Sequence, residues 1–281
     1  MAKISAIQLC SVPDVNQNLA TITQQLTLLC QQVNDDEHVV VLPECCLFFG
    51  GKDAEQLSLA KQTQQSNHLV MSLAKLAEQF KVTLVAGTIP LLTTCGEKFT
   101  NTCCVFSPEG VLLGQYSKIH LFDVNVNDNE KTYLESKYTQ AGQSVSVVEQ
   151  ATMNIGLSIC YDVRFAALYS NLVVQGATLI TIPSAFTRVT GKAHWQALLQ
   201  ARAIENQVYI VAAAQEGVHD NGRETWGHSM IISPWGKILV CKAFGEGFIT
   251  CEYHQEEINR VRAAIPVHEH NKFTVELNKY E

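Results

Sequence analysis

Apolar and polar positions follow two different periods along this chain, and their alternation predicts interleaved strands and helices. Residues 3–10 alternate as a strand does. Residues 38–42 end in the apolar run VVVL, which is typical of a strand buried on both faces. Between these two strands, 14–33 carries apolar residues at helical spacing, with Asp14 placed to cap the helix. The pattern therefore indicates an α/β protein.

The same alternation continues with a predicted helix at 66–80 and a predicted strand at 82–89. The segment 121–142 differs, because it is polar and has no period. A loop of this length inside a compact domain is uncommon and usually functional. No linker rich in glycine, serine or proline interrupts the chain, so we predict a single domain over 1–281.

Two stretches, 106–113 and 232–239, share one pattern: an apolar strand, then Ser-Pro-x-Gly, then another apolar strand. Proline and glycine at these positions favour the tight turn of a β-hairpin. The repeat indicates two similar halves, each contributing a sheet. Two sheets packed face to face with helices outside each is the simplest arrangement. We therefore predict a four-layer α-β-β-α sandwich.

Composition and charge narrow the classes of function. Hydrophobic residues make up 47% of the 281 residues and charged residues 17%, as in a globular protein. The net charge of −7 argues against a nucleic-acid partner, which would require a basic face. No apolar run approaches the about 20 residues of a membrane span, and the first residues lack the pattern of a signal peptide. We expect a cytoplasmic protein with no membrane contact.

The ten cysteines do not suggest disulfides or a metal site. A cytoplasmic chain keeps its thiols reduced. Cys45-Cys46 and Cys103-Cys104 are adjacent pairs and do not have the spacing of zinc ligands. We expect most of the cysteines to be buried and inert.

Three chemically reactive residues each follow an apolar strand: Glu44, Lys118 and Cys160. In α/β folds, sites gather at the carboxyl ends of strands, so these side chains can converge. A cysteine reacts as the thiolate, and a nearby carboxylate can take its proton. A lysine can stabilise the thiolate and the oxyanion of an attacked carbonyl, and the Tyr161 amide is a second candidate donor. Taken singly, each residue also has an ordinary explanation as core filler, turn residue or solvated cation.

Three motifs resemble the signatures of the nitrilase (carbon–nitrogen hydrolase) superfamily: LPECCLFFGG, YSKIHLFDV and LSICYDVRF. The resemblance implies the α-β-β-α sandwich of that superfamily and a Glu-Lys-Cys triad, with Glu44 as general base, Lys118 as oxyanion stabiliser and Cys160 as nucleophile. It also implies that Glu135, in the long polar segment, is the superfamily's second glutamate. The superfamily needs no metal or organic cofactor and commonly forms homodimers or higher homo-oligomers.

Within the superfamily, residues 183–215 and the motif GHSMIISPWG resemble the deaminated glutathione amidase branch. Ser184, Thr187 and Glu205 favour this branch over the neighbouring ω-amidases. The resemblance implies hydrolysis of a small-molecule ω-amide through a Cys160 thioester, most simply deaminated glutathione to 2-oxoglutarate and Cys-Gly. An ω-amidase acting on 2-oxoglutaramate or 2-oxosuccinamate, and a non-catalytic scaffold, remain the alternatives.

A substrate with two carboxylates needs cations or aligned N–H donors in its pocket. We expect these contacts from Arg164, Arg188 and Lys192. The PSAFT stretch, through Ser184, Phe186 and Thr187, is expected to line the same site. Arg164 has an alternative role as a brace to Asp162 or Glu205, and Phe186 as a core residue.

Overall fold

The computed structural model describes residues 2–33, 37–126, 128 and 132–277. The strands are β1 (Ala2–Gln8), β2 (Glu37–Val41), β3 (Thr83–Val85), β4 (Ile89–Leu92), β5 (Phe99–Phe106), β6 (Leu112–Ser117), β7 (Asp123–Asn125), β8 (Thr132–Leu134), β9 (Val147–Glu149), β10 (Asn154–Leu157), β11 (Leu179–Ser184), β12 (Tyr209–Ala214), β13 (Glu216–Val218), β14 (Glu224–Trp226), β15 (Ser229–Ile232), β16 (Ile238–Lys242) and β17 (Gly247–Tyr253). The helices are α1 (Val15–Gln32), α2 (Asp53–Thr63), α3 (His68–Phe80), α4 (Ala166–Val174), α5 (Arg188–Asn206), α6 (Gln255–Ala264) and α7 (Val267–His270).

Two large sheets form the centre of the fold. The first has the order β17-β1-β2-β3-β5-β4, with β6 paired to β5, and the second has the order β16-β15-β12-β11-β10-β9. The inner faces of the two sheets pack against each other, while α1 and α3 cover the outer face of the first and α4 and α5 that of the second. The predicted four-layer α-β-β-α sandwich is confirmed.

The first helix illustrates how the sequence pattern produces this packing. The Asp14 carboxylate accepts the N–H groups of Asn16 and Gln17 at 2.8 and 3.0 Å, so it caps the helix as predicted. The apolar stripe of α1 is buried against the first sheet through Ile22 and Leu26. None of the helices that the structure describes is both long and apolar enough to cross a membrane.

Both predicted Ser-Pro-x-Gly hairpins are present. The first joins β5 to β6, and the Gly110 N–H donates to the Ser107 carbonyl at 2.9 Å. The second joins β15 to β16, and the Gly236 N–H donates to the Ser233 carbonyl at 2.8 Å. Each ladder has a register shift beside its turn. Each half of the chain therefore contributes one such hairpin to its own sheet.

Two predicted segments differ from the structure. The strand predicted at 82–89 is divided between β3 and β4, because Gly87 takes a φ of +59° and turns the chain. The segment 121–142 contains the hairpin β7–β8 and a 3-10 turn at Glu135–Lys137. Its strands have three residues each, which is too short for a two-residue period to appear in the sequence.

Candidate active site

Glu44, Lys118, Glu135 and Cys160 all line one pocket. Glu44 follows β2 after Leu42-Pro43, Lys118 directly follows β6, and Cys160 follows β10. Glu135 opens the 3-10 turn after β8. The fold thus brings together four side chains that lie far apart in the sequence.

Lys118 holds the centre of this cluster. Its ammonium donates to Glu44 Oε1 at 2.9 Å and to Glu135 Oε2 and Oε1 at 2.9 and 3.2 Å. Burial lowers the pKa of Lys118, but the charges of Glu135 and Glu44 raise it by more, so the net shift is well upward. Burial raises the pKa of Glu135. The charge of Lys118 lowers it by less, so the net shift is upward. Lys118 is therefore a permanent cation between two acidic groups.

Cys160 and Glu44 line the same pocket, and the Glu44 carboxylate is close enough to the thiol for its charge to act on the thiol proton. Burial and the Glu44 charge raise the pKa of Cys160 well above its usual value, while Lys118 and the Ala185 N–H oppose that shift. The resting nucleophile is consequently a thiol, and it needs a base at the moment of attack. The Ala185 N–H fixes that base by donating to Glu44 Oε2 at 2.9 Å.

Cys160 begins a tight 3-10 turn, Cys160–Arg164, ahead of α4. Its φ of +45° lies in the left-handed region, which a residue with a Cβ adopts at an energetic cost. Cys45, beside Glu44, also has a positive φ of +54°. The Tyr161 N–H, in the first turn of this 3-10 segment, has no backbone partner among the residues that the structure describes. The turn thus presents a thiol beside an available N–H donor.

Asn101 is a member of the cluster that the sequence analysis missed. Its side-chain amide donates to Glu44 Oε1 at 2.9 Å and to Glu135 Oε1 at 3.4 Å. Glu135 is held further by the Phe122 N–H, at 2.7 Å from Oε2. The sequence feature that could have identified Asn101 is a polar residue inside the strand FTNTCCVF, where an apolar residue is expected. The structure buries this asparagine.

The walls of the pocket are largely aromatic, and its cations are few. The aromatic lining residues include Phe48, Phe49, Phe122, Tyr133, Tyr138, Tyr161 and Phe186. Within the described lining, the cations besides Lys118 are Lys52 and Arg223. The Arg223 guanidinium lies over the Tyr133 ring at 4.7 Å and the Phe49 ring at 5.6 Å. Aromatic rings therefore orient this arginine at the wall.

The predicted substrate contacts are only partly brought to the pocket. Tyr161, Phe186 and Thr187 line it, as does Phe122. Ser184 lies outside the described lining; it is fully buried, and its hydroxyl donates to the Ile182 carbonyl at 3.3 Å.

The predicted cations differ most from expectation. Arg188 was expected to point at the site, but its guanidinium pairs with Glu224 at 3.1 Å outside the lining. The cause is that Thr187 caps α5, so Arg188 falls in the first helical turn. Arg164 contacts His194 at 3.4 Å and packs over the Phe186 ring at 5.2 Å.

Two smaller expectations about cations are also corrected. Among the contacts that the structure describes, Arg164 pairs with neither Asp162 nor Glu205, the partners of its alternative role as a brace; it contacts His194 instead. Lys192 is exposed and lies outside the described lining. Within the described chain, no group of three or more histidine, cysteine, aspartate or glutamate side chains is arranged to hold a metal ion.

Comparison with known proteins places this geometry in a family. The model of the carbon-nitrogen hydrolase family matches residues 3–263. A deaminated glutathione amidase of Synechocystis sp. (strain PCC 6803 / GT-S) is 41% identical over 273 residues, covering 96% of this chain and 97% of that protein. The omega-amidase NIT2 of Homo sapiens is 31% identical over 261 residues, covering 92% of each.

A solved structure agrees with both comparisons. Nit3 of Saccharomyces cerevisiae, a member of branch 10 of the nitrilase superfamily, superimposes with a TM-score of 0.85 at 30% identity and covers 97% of each chain. Because the family match and these identities extend over nearly the whole length, the chain belongs to the carbon-nitrogen hydrolase family.

Proposed function

We propose that this protein hydrolyses an ω-amide of a 2-oxo acid through a thioester on Cys160. The observation that carries the proposal is that Glu44, Lys118 and Cys160 line one pocket, in which the Glu44 carboxylate accepts the Lys118 ammonium at 2.9 Å and its charge raises the pKa of the Cys160 thiol. A base, a nucleophile and a fixed cation around one buried point are the groups that acyl transfer requires.

The first half of the reaction forms the acyl-enzyme. Glu44 takes the proton of the Cys160 thiol as the sulfur attacks the amide carbonyl carbon. The negative charge that develops on the carbonyl oxygen is stabilised by the Lys118 ammonium and the Tyr161 N–H. The carbon–nitrogen bond then breaks, and the leaving amine takes the proton from Glu44.

The second half releases the acid. Water gives a proton to Glu44 and attacks the thioester carbonyl, the carbon–sulfur bond breaks, and Cys160 recovers its proton. Glu135 holds Lys118 in place by accepting its ammonium, and Asn101 holds Glu44 by donating to it and to Glu135. Apart from the attacking water and the amide itself, the groups that this route uses come from residues of this chain.

The substrate we propose is deaminated glutathione, which would yield 2-oxoglutarate and Cys-Gly. The relative from Synechocystis that carries this name supports it. The human relative named omega-amidase NIT2 supports a second candidate, a smaller ω-amide that would release ammonia. The ratio of kcat/KM for deaminated glutathione and 2-oxoglutaramate decides between them.

The charge of the pocket indicates how a carboxylate substrate is held. One ammonium and two acidic side chains form the catalytic cluster, so Lys118 is already engaged. Besides Lys118, the cations of the described lining are Arg223 and Lys52, and either can contact a substrate carboxylate. We assign the main contact to Arg223, because a guanidinium has five N–H donors and forms paired bonds to carboxylates.

We also propose that the protein acts in the cytoplasm as a homodimer or higher homo-oligomer. Exposed apolar residues on the helices over the second sheet support a face for self-association: Val174, Val189 and Ile204. Sedimentation analysis of the purified chain tests this, and a monomer across the micromolar range would contradict it.

Replacing the nucleophile tests the catalytic proposal. The change Cys160→Ala should abolish release of 2-oxoglutarate and of amine while leaving the folded structure intact, because only the sulfur is removed. The matched control is Cys104→Ala, which removes another buried thiol in the first sheet and should retain turnover. Turnover retained in Cys160→Ala would overturn the proposal.

A further inference from the structure

One buried carboxylate, that of Asp162, connects the segment that carries Cys160 to the segment that carries Lys118. Asp162 is fully inaccessible to solvent and lies two residues after Cys160. It does not line the pocket, and the proposed chemistry does not use it. Its contacts nevertheless involve both of these segments.

On the cysteine side, Asp162 closes the turn. Its Oδ2 accepts the Ile159 N–H at 2.9 Å, so the side chain reaches back across the backbone of Cys160. Cys160 itself has the strained φ of +45°. Such a conformation persists only where surrounding contacts enforce it. The Asp162–Ile159 bond is one contact that does so.

On the lysine side, three further donors meet the same carboxylate. The Tyr116 hydroxyl donates to Oδ2 at 2.8 Å, and Oδ1 accepts the His120 N–H at 3.1 Å and contacts His120 Nδ1 at 2.7 Å. Burial and the Asp162 charge raise the pKa of Tyr116 well above its usual value, so Tyr116 keeps its proton and is the donor. Tyr116 and His120 lie two residues before and two residues after Lys118.

The four donors explain why a carboxylate stands at this position. An ionised carboxylate has two accepting oxygens and can serve all four, whereas an asparagine amide has one oxygen and an N–H₂ group. Replacement by asparagine would therefore leave two of the four donors facing an N–H₂ group instead of an oxygen, at a cost comparable to losing their hydrogen bonds. Those two would lie on either the Oδ1 or the Oδ2 side of the link.

We propose that Asp162 is a positioning residue that fixes Cys160 relative to Lys118, so that the thiol and the ammonium face the same reacting carbonyl. The inference rests on the proposed function, because it assigns Asp162 a role in that reaction. The competing view is that Asp162 only braces the core. The two views differ in whether the reactivity of Cys160 changes in variants that remain folded.

The test uses three variants of the full chain: Asp162→Asn, Tyr116→Phe and, as the matched control, Tyr169→Phe. Tyr116 and Tyr169 are both fully buried, but the Tyr169 hydroxyl lies 2.8 Å from Ser158 Oγ instead of bonding to Asp162. The measurements are kcat and KM for the amide, the midpoint of thermal unfolding, and the rate at which iodoacetamide modifies Cys160, read from its peptide by mass spectrometry.

We expect Asp162→Asn to lower kcat and the Cys160 modification rate by about tenfold or more, with KM changed by less than about twofold. Tyr116→Phe, which removes one of the four bonds, should lower both rates by about threefold. Tyr169→Phe should change neither. If Asp162→Asn does not fold, the test is the comparison of Tyr116→Phe with Tyr169→Phe in kcat and in the rate of Cys160 modification.

Two outcomes would overturn the proposal. The first is a folded Asp162→Asn or Tyr116→Phe variant in which iodoacetamide modifies Cys160 as fast as it does in the unaltered protein. The second is an equal loss of rate in Tyr169→Phe, which would indicate a general packing effect. Because iodoacetamide modification needs no amide turnover, a wrong substrate assignment would leave this test unaffected.

Discussion

At the floor of the pocket, Glu44, Lys118 and Cys160 are nearly inaccessible to solvent, and the Lys118 ammonium donates a hydrogen bond to Glu44. At its rim, Lys52 is exposed, and Arg223 is half-buried against two aromatic rings. A buried, fixed arrangement of charges stabilises a transition state without reorganisation, whereas a cation at the rim contributes to binding. We therefore expect changes at the floor to lower kcat and changes at the rim to raise KM.

The largest effect is expected from Glu44→Gln. The amide keeps the size of the side chain but cannot take the thiol proton, so kcat should fall by about a thousandfold. KM should change little, because the rim is intact. The control is Glu205→Gln, which alters a half-exposed acid paired with Arg202; steady-state kinetics on both variants measures the difference. A Glu44→Gln enzyme with more than a tenth of normal kcat would contradict the role of Glu44 as base.

Removing Asn101 should have a smaller effect on the same parameter. The change Asn101→Ala deletes the donor that bridges Glu44 and Glu135. We expect kcat to fall by about thirtyfold, because a hydrogen bond to a charged group contributes about 2 kcal/mol. A loss confined to KM would place Asn101 in substrate binding instead.

The pH dependence of Cys160 modification tests whether Glu44 takes the thiol proton. In the unaltered protein Glu44 accepts the thiol proton, so the rate should vary little between about pH 6 and pH 8. The pKa of Cys160 is raised by burial. In Glu44→Gln the proton must therefore leave for solvent, and the rate should rise about tenfold per pH unit below that pKa.

This measurement must resolve individual peptides. Cys95 is exposed, and its hydrogen bond with Thr93 lowers its pKa, so it is a competing thiol. A Cys95→Ser background removes that signal. Parallel pH profiles in the two proteins would contradict proton transfer to Glu44.

The rim is tested by Arg223→Met with Arg188→Met as the matched control. Arg223 lines the pocket, whereas Arg188 pairs with Glu224 outside it. We expect Arg223→Met to lower kcat/KM about tenfold for glutaramate, which carries a carboxylate, and to leave its neutral methyl ester unchanged. Arg188→Met should leave both unchanged. An equal loss of kcat/KM for the acid and the ester would indicate that Arg223 supports the wall of the pocket and does not bind the carboxylate.

The smallest effect is expected from Lys52→Met. Lys52 is exposed at the rim, where water screens its charge. We expect kcat/KM for glutaramate to fall by no more than about threefold. A loss larger than that of Arg223→Met would reverse the assignment of the main carboxylate contact.

The same contrast explains what could be predicted from the sequence. Glu44, Lys118 and Cys160 each follow an apolar run, so their placement at strand ends could be predicted, and the family motifs indicated their roles. The repeated Ser-Pro-x-Gly pattern likewise predicted both hairpins, because proline and glycine act locally.

The rim could not be predicted, because its residues come from turns without a period. Arg223 precedes the three-residue strand β14, and its position depends on rings supplied by Phe49 and Tyr133. Arg188 was predicted to face the site because it follows a strand. The helix α5 begins at Arg188, however, and the Arg188 side chain pairs with Glu224. Contacts between distant segments, and not local pattern, decide which cations face the pocket.

Trapping the acyl-enzyme tests directly whether Cys160 is the nucleophile. The protein is mixed with deaminated glutathione, quenched in acid within the first turnovers, digested and analysed by mass spectrometry. We expect a 2-oxoglutaryl group on the peptide containing Cys160 and on no other cysteine, and its absence in Cys160→Ala. Turnover with no adduct on Cys160, or an adduct on another residue, would contradict it.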